Sequence, residues 1–229
     1  MNIQPWFRKL STIALIIIVS LTIFTAPSYA FVPSDKVQIN VNHLKKTNEC
    51  NQCDLSGANL SGADLYGSAL LEANLSGADL SDALLNDAKL KGANLSGANL
   101  SNALLMGITL SEANLTNANL SSADLYNALM ESTTLSGADL TGADLTSAIL
   151  SETDLSNVDG ENVNLDQAIL NKANLSGANF THAKMRNARL AEAILEGTKL
   201  FEADLYRAVM PDTTIYKGKG DVSKFGAYQ

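Results

Sequence analysis

The sequence predicts an all-β solenoid, a chain wound into coils of about twenty residues whose backbones pair with the coils before and after. Three observations point there. From Leu55 to Ile215 every fifth residue is apolar except Gly160, and Leu fills 27 of those 33 positions, so one interior column is built almost entirely from a single side chain. Two residues before each of these stands a small residue, mostly Ala and otherwise Cys, Ser, Thr, Val or Ile, which supplies a second interior column. The two residues after each Leu are rich in Gly, Ser and Asn, types that tolerate turn and left-handed conformations. A period of five fits neither a helix face at 3.6 residues nor continuous alternation. It fits a short extended step, Ala in, Asn or Asp out, Leu in, followed by a two-residue corner. Four corners return the chain over itself.

Residues 1–30 have the layout of a secretory signal. Arg8 and Lys9 give a positive start, an apolar run extends from Ile13 to Phe24, and Ser28-Tyr29-Ala30 is an A-x-A-like site with cleavage expected after Ala30. The competing reading is a retained anchor, but the run is shorter than the roughly 20 residues a spanning helix needs. Loss of Arg8 and Lys9, with no acid among those residues, takes the net charge from −8 to −10 and leaves no membrane segment in the expected mature chain from Phe31. With 46% apolar and 17% charged residues, the composition excludes a polar disordered chain.

Residues 31–49 form an N-terminal segment in which Val37, Val41 and Leu44 stand at i, i+4 and i+7, with Ser34 or Asp35 as N-cap candidates. A short amphipathic helix is predicted to lay this stripe over the first coil, where an open β-edge would invite aggregation. His43, Lys45 and Lys46 are then solvated. The repeats follow over residues 50–215. Pro211 interrupts pairing near their end, and the Gly- and Lys-rich residues 216–229 are expected to leave as a loose or partly docked tail.

The run "CDLSGANLSGADL" from Cys53, and its continuation through "FEADLYRAVM" to Met210, resemble the pentapeptide-repeat family. The resemblance covers residues 53–215 and implies a right-handed quadrilateral β-helix. The 33 units make about eight coils, roughly 40 Å long at about 4.8 Å per coil. It also implies a function of one of two classes. The first is a non-enzymatic structural or interaction scaffold, similar to exported members of the cyanobacterial thylakoid lumen or periplasm. The alternative is an acidic DNA mimic, similar to members that bind a DNA-handling enzyme such as gyrase. The acidic balance is compatible with mimicry. The signal segment argues against it, because gyrase is cytoplasmic.

Motifs for chemistry are sparse. The chain holds only two histidines, His43 and His182, no G-x-S-x-G serine and no phosphate loop, so neither a triad nor a nucleotide site is visible. Carboxylates stack one coil apart, as Asp124 with Asp144 and Asp139 with Asp159. A convex face lacks the cleft that would desolvate them into an acid–base pair. An enzyme, a bound cofactor, a metal and a nucleic-acid partner are not expected.

Two departures from the repeat carry expectations of their own. Residues 140, 160 and 180 share one interior column, so Gly160 leaves a hole that the larger ring of Phe180 is expected to fill; a local bulge at Gly160 is the other reading. Outward positions that elsewhere hold Asn or Asp become apolar at Leu84 and Leu104 on one face and at Leu129, Ile149 and Ile169 on the next, with Tyr66, Met106 and Tyr126 on the corner between. One contiguous exposed patch is expected, either a docking surface for an unknown protein partner or a second copy, or a plain strand preference.

Cys50 and Cys53 are the only cysteines. In the register Cys53 takes the small inward place two before Leu55. An exported chain with two cysteines favours a disulfide that brackets the capping helix and first coil. A metal site would need more ligands than this pair offers, and a thioredoxin-like redox role would need a βαβ setting.

Overall fold

A computed structural model of the chain describes residues 35–218 and 222–228. The expected signal segment, its cleavage site after Ala30 and the Ser34 cap candidate lie outside the described residues.

The N-terminal helix α1, Asp35–Thr47, buries Val37, Val41 and Leu44 against the first coil and leaves His43, Lys45 and Lys46 exposed. It stops at Asn48, whose φ of 59° is the left-handed conformation of a helix C-cap and whose N–H still bonds the Leu44 carbonyl. The Asn48 side chain then donates to the Tyr66 carbonyl at 2.7 Å, and that of Asn40 donates to the Asp54 carbonyl at 2.9 Å. Both asparagines fasten the helix to coil backbone that has no coil beneath it.

From Glu49 onward the chain is a β-solenoid. Residues twenty apart form parallel bridges, beginning with Glu49↔Ala69 and continuing to Arg189↔Val209, and successive bridges along the chain fall into four ladders. Each bridge is isolated: one outward residue per face pairs, and no continuous strand forms among the described residues, because the next two residues already turn the corner. Backbone groups are nevertheless satisfied. The Leu55 N–H bonds the Asn74 carbonyl, the Asn74 N–H bonds the Cys53 carbonyl, and the Ala58 N–H closes its corner on the Leu55 carbonyl, a pattern that repeats coil after coil.

The corners explain the rest of the repeat. Their second residue has positive φ whether it is Gly77 at 63° or Glu112 at 63°, the signature of a type II turn. A residue with a Cβ pays about 1 kcal/mol or more there. Part of the compensation comes from the outward Asn or Asp two residues ahead: the carboxamide of Asn94 accepts from the Ser96 N–H at 3.2 Å, and the carboxylate of Asp144 from the Thr146 N–H at 2.9 Å. The outward polar residue is therefore corner chemistry as well as surface.

Inside, the Leu and Ala columns are almost fully buried. Thr133, Thr153 and Thr198 replace Ala without leaving a bare hydroxyl, since each donates to the carbonyl 23 residues earlier, of Leu110, Met130 and Leu175, at 2.9, 2.7 and 2.8 Å. Ser68 is equally buried, but the residue 23 places before it is Lys45 in α1, and its hydroxyl has no partner among the described residues.

The C-terminal end differs from the sequence expectation. The five-residue rule extends to Ile215, yet Ile215 is 57% exposed and bridges back antiparallel to Val209. Pro211 has no N–H for a further rung, and the turn after Met210 is held by Asp212, which accepts from the Thr214 N–H and hydroxyl. The described part of the tail is docked rather than loose. A short 3-10 helix, Ser223–Phe225, precedes a rung in which Leu200 donates to the Tyr228 carbonyl and Tyr228 to the Thr198 carbonyl, burying Val222 and Ala227.

Candidate functional site

The polar faces are occupied by their own hydrogen bonds. Two ladders carry Asx side chains in register, with amide nitrogens donating one coil back: Asn94 to Asn74 at 3.2 Å, Asn119 to Asn99 at 3.2 Å and Asn179 to Asp159 at 3.1 Å. The stacked carboxylates bridge as the register placed them, Asp124↔Asp144 and Asp139↔Asp159. Their oxygens accept the corner N–H groups of Tyr126, Thr146, Thr141 and Glu161. Where a hydroxyl is added the carboxylate gains further: the Ser56 hydroxyl and N–H hold the Asp54 carboxyl below its ordinary range, and Ser81 does the same for Asp79. These groups shape corners. Among the described residues no cluster of three His, Cys, Asp or Glu could hold a metal.

Cys50 and Cys53 are joined in a disulfide, S–S 2.06 Å. Cys50 is the buried member, with its N–H on the Ala69 carbonyl, while Cys53 is half-buried at the edge of the core. The bond therefore spans the exit of α1 and the first small-column position.

Gly160 and Phe180 also meet. Phe180 is fully buried, and a Cβ placed on Gly160 would stand 2.6 Å from its Cδ1 and Cε1. Gly160 lies outside the positive-φ corner set, and its N–H keeps the Asn179 carbonyl at 2.8 Å, so the coil is unbroken there. Glycine is required at this place by volume alone.

The apolar outward residues gather on one corner. Leu84 and Leu104 bridge each other on one ladder, and Leu129, Ile149 and Ile169 bridge in sequence on the next. Leu84, Leu104 and Leu129 are exposed, whereas Ile149 and Ile169 are half-buried, so the accessible part of the patch lies toward the earlier coils. On the corner between, Tyr66, Met106 and Tyr126 are exposed and line a single depression of about 310 Å³ with Asn86, Asp87, Gly107 and Asn127. The Tyr66 hydroxyl donates to Asp87 Oδ2 at 2.9 Å, and the Asn86 side chain accepts the Met106 N–H at 2.8 Å. Gly107 lets the Asp87 carboxylate lie against its backbone at the edge of the depression: a Cβ there would stand 2.7 Å from Asp87 Oδ1.

Asp87 did not stand out in the sequence, because its contact with Tyr66 crosses a corner 21 residues away. Tyr206, also exposed, repeats the Tyr66 and Tyr126 column at a multiple of twenty, a signal the sequence itself carries. Ile194, Phe201 and Tyr228 add exposed apolar side chains near the C-terminal end.

The family described as pentapeptide repeats matches in eight copies over residues 53–92, 93–131, 123–159 and 161–197. Among solved structures, the chain is similar to HetL of the cyanobacterium Nostoc sp. strain PCC 7120, a pentapeptide repeat protein involved in heterocyst differentiation regulation, with 29% identity over 73% of this chain and 91% of that one and a TM-score of 0.51. It is also similar to a pentapeptide repeat protein of the Arabidopsis thaliana thylakoid lumen, 29% identical over 47% and 68% of the two chains with a TM-score of 0.28. Full-length QnrB1, a plasmid-mediated fluoroquinolone resistance protein, is 24% identical over 68% and 80% with a TM-score of 0.46. No curated protein is significantly similar to the chain in sequence.

Proposed function

Since this chain belongs to the pentapeptide-repeat family, we propose that it is a non-enzymatic interaction scaffold that docks a protein partner through the apolar corner at Tyr66, Met106 and Tyr126. The four ladders are read as the faces of a right-handed quadrilateral β-helix of about eight coils, a stiff support for a surface site. The observation that carries the reading is the contrast between faces. Two ladders are sealed by Asn and Asp side chains bonded to each other, while exposed Leu84, Leu104, Met106 and Leu129 adjoin two tyrosines around one depression. Such a patch on a surface with ample polar alternatives marks an interaction site.

The scaffold is assigned to an extracytoplasmic compartment, thylakoid lumen or periplasm. The support is the signal-like layout of residues 1–30 together with the Cys50–Cys53 disulfide, which persists in oxidising surroundings. No helix among the described residues is long and apolar enough to cross a membrane.

Photo-crosslinking in the source cells tests the docking role. A benzophenone side chain at residue 106 is expected to capture a discrete adduct that Leu129→Asp abolishes, whereas the same group at residue 119, on an Asn ladder, captures none. Equal adducts from both positions, or none from residue 106, would sink the reading.

A further inference from the structure

Within the interaction surface just proposed, we infer that the depression between Tyr66 and Tyr126 receives an arginine side chain of the protein partner, with the Asp87 carboxylate as counter-charge. The inference rests on the docking reading and adds the chemistry of the docked group. Tyr66 and Tyr126 stand three coils apart in one corner column, about 14 Å at the usual spacing, with Met106 between them and Gly107 making room for the Asp87 carboxylate. The cavity of about 310 Å³ suits one long side chain, whose alkyl stem can lie on Met106 and whose planar head can stack on a tyrosine face.

Charge decides which side chain. Asp87 Oδ2 is oriented by the Tyr66 hydroxyl, and no lysine, arginine or histidine among the described residues lies within ion-pairing distance of Asp87. Asp64 and Asp124 flank the same corner, each accepting the N–H of the tyrosine that follows it. Between residues 64 and 127 the cations are Lys89, on the adjoining ladder, and Lys91, on the corner after it and paired with Glu112 at 3.1 Å, so carboxylates dominate the rim. A planar guanidinium can hold a carboxylate through two N–H groups while its face stacks flat on an aromatic ring; an ammonium, as Lys224 shows between Asp212 and Phe225, meets both only as a point charge, and an aliphatic side chain meets no carboxylate. A second copy is a poorer occupant, because a net charge of −8 sets two copies against each other.

The test uses the purified protein with methionine methyl carbons labelled, and N-acetyl-arginine methylamide as probe. The Met106 methyl signal is expected to shift saturably, and Asp87→Asn, which keeps a residue tolerant of the positive φ at 87, is expected to weaken binding about fivefold or more. Asp139→Asn, on a remote face, leaves it unchanged. The citrulline analogue has the same shape without charge and is expected not to bind. If citrulline binds as well as arginine, the charge recognition is wrong while the apolar docking surface stands. If the lysine probe binds equally, the guanidinium assignment fails. If no probe moves Met106, the depression is not a receptor, and the crosslinking result decides separately whether the corner docks anything. Concentration-dependent self-association abolished by Asp87→Asn would make the occupant a second copy and overturn the partner assignment.

Discussion

The Phe180 ring lies where a side chain at residue 160 would begin, 2.6 Å from the place of a Gly160 Cβ. Two departures from the repeat, twenty residues apart, are thus one packing solution. Shortening Phe180 to Leu leaves the Gly160 hole unfilled, since neighbouring coils are fixed by their rungs and cannot close in. The expected loss is about 2 kcal/mol in urea unfolding. Gly160→Leu alone overpacks the column and also destabilises, by about 1–3 kcal/mol. The double variant restores the ordinary Leu-on-Leu column and recovers most of both losses. Additive losses in the double variant would show that the residues do not compensate.

Ser68 supplies a prediction of opposite sign. Its hydroxyl is buried without a partner because α1 replaces the coil whose carbonyl Thr133, Thr153 and Thr198 use. Ser68→Ala removes an unsatisfied polar group without changing the column, and is expected to raise stability by about 1 kcal/mol, while Thr153→Ala lowers it by a similar amount. Thermal melts of both variants check the pair; a loss in Ser68→Ala would mean the hydroxyl is satisfied in solution.

The interior was legible in the sequence because each column obeys a rule about a single residue type. Leu140, Gly160 and Phe180 fall in one column from their spacing of twenty alone. The corners were only half legible. Gly and Asn announced the positive φ, but Glu112, Lys172 and Arg207 adopt it too, under constraint from rungs on both sides rather than from preference. What lay outside the period was not legible. Val222 and Ala227 are buried as a closing rung, yet nothing in their spacing connects them to Thr198 and Leu200. The apolar corner was readable as Tyr66, Met106 and Tyr126, and the polar half of the site, Asp87 over Gly107, was not, because it depends on a contact between coils.

The disulfide predicts a local effect. Cys50–Cys53 closes a loop of four residues, worth about 2 kcal/mol of chain entropy, and it sits where α1 meets the first coil. In a solenoid each coil contacts mainly its neighbours, so reduction should loosen the cap and leave distant coils alone. Amide exchange of Val41 and Leu44 is expected to speed up on reduction while that of Leu145 stays the same. Uniform acceleration along the chain would refute a purely local bracket.

Acid tests the docked C-terminus. Lys224 donates to Asp212 Oδ2 at 2.7 Å and the Thr214 hydroxyl to Oδ1 at 2.6 Å, and these bonds lower the Asp212 pKa from an ordinary 3.8 to about 2. A carboxyl whose folded pKa is depressed contributes stability that is fully present above its unfolded value and disappears as pH falls through the folded one. The contribution of Asp212 is therefore intact above about pH 4 and lost between there and about pH 2. Because Lys224 belongs to the 3-10 helix that leads into the Tyr228 rung, the loss falls on that rung first. Protection of the Tyr228 N–H, which bonds the Thr198 carbonyl at 2.8 Å, is expected to fall across this window relative to that of the Leu145 N–H. Lys224→Gln should weaken the rung already at neutral pH and flatten its acid dependence. If the wild-type rung keeps its protection down to pH 2, the Asp212–Lys224 pair does not hold the C-terminus to the solenoid.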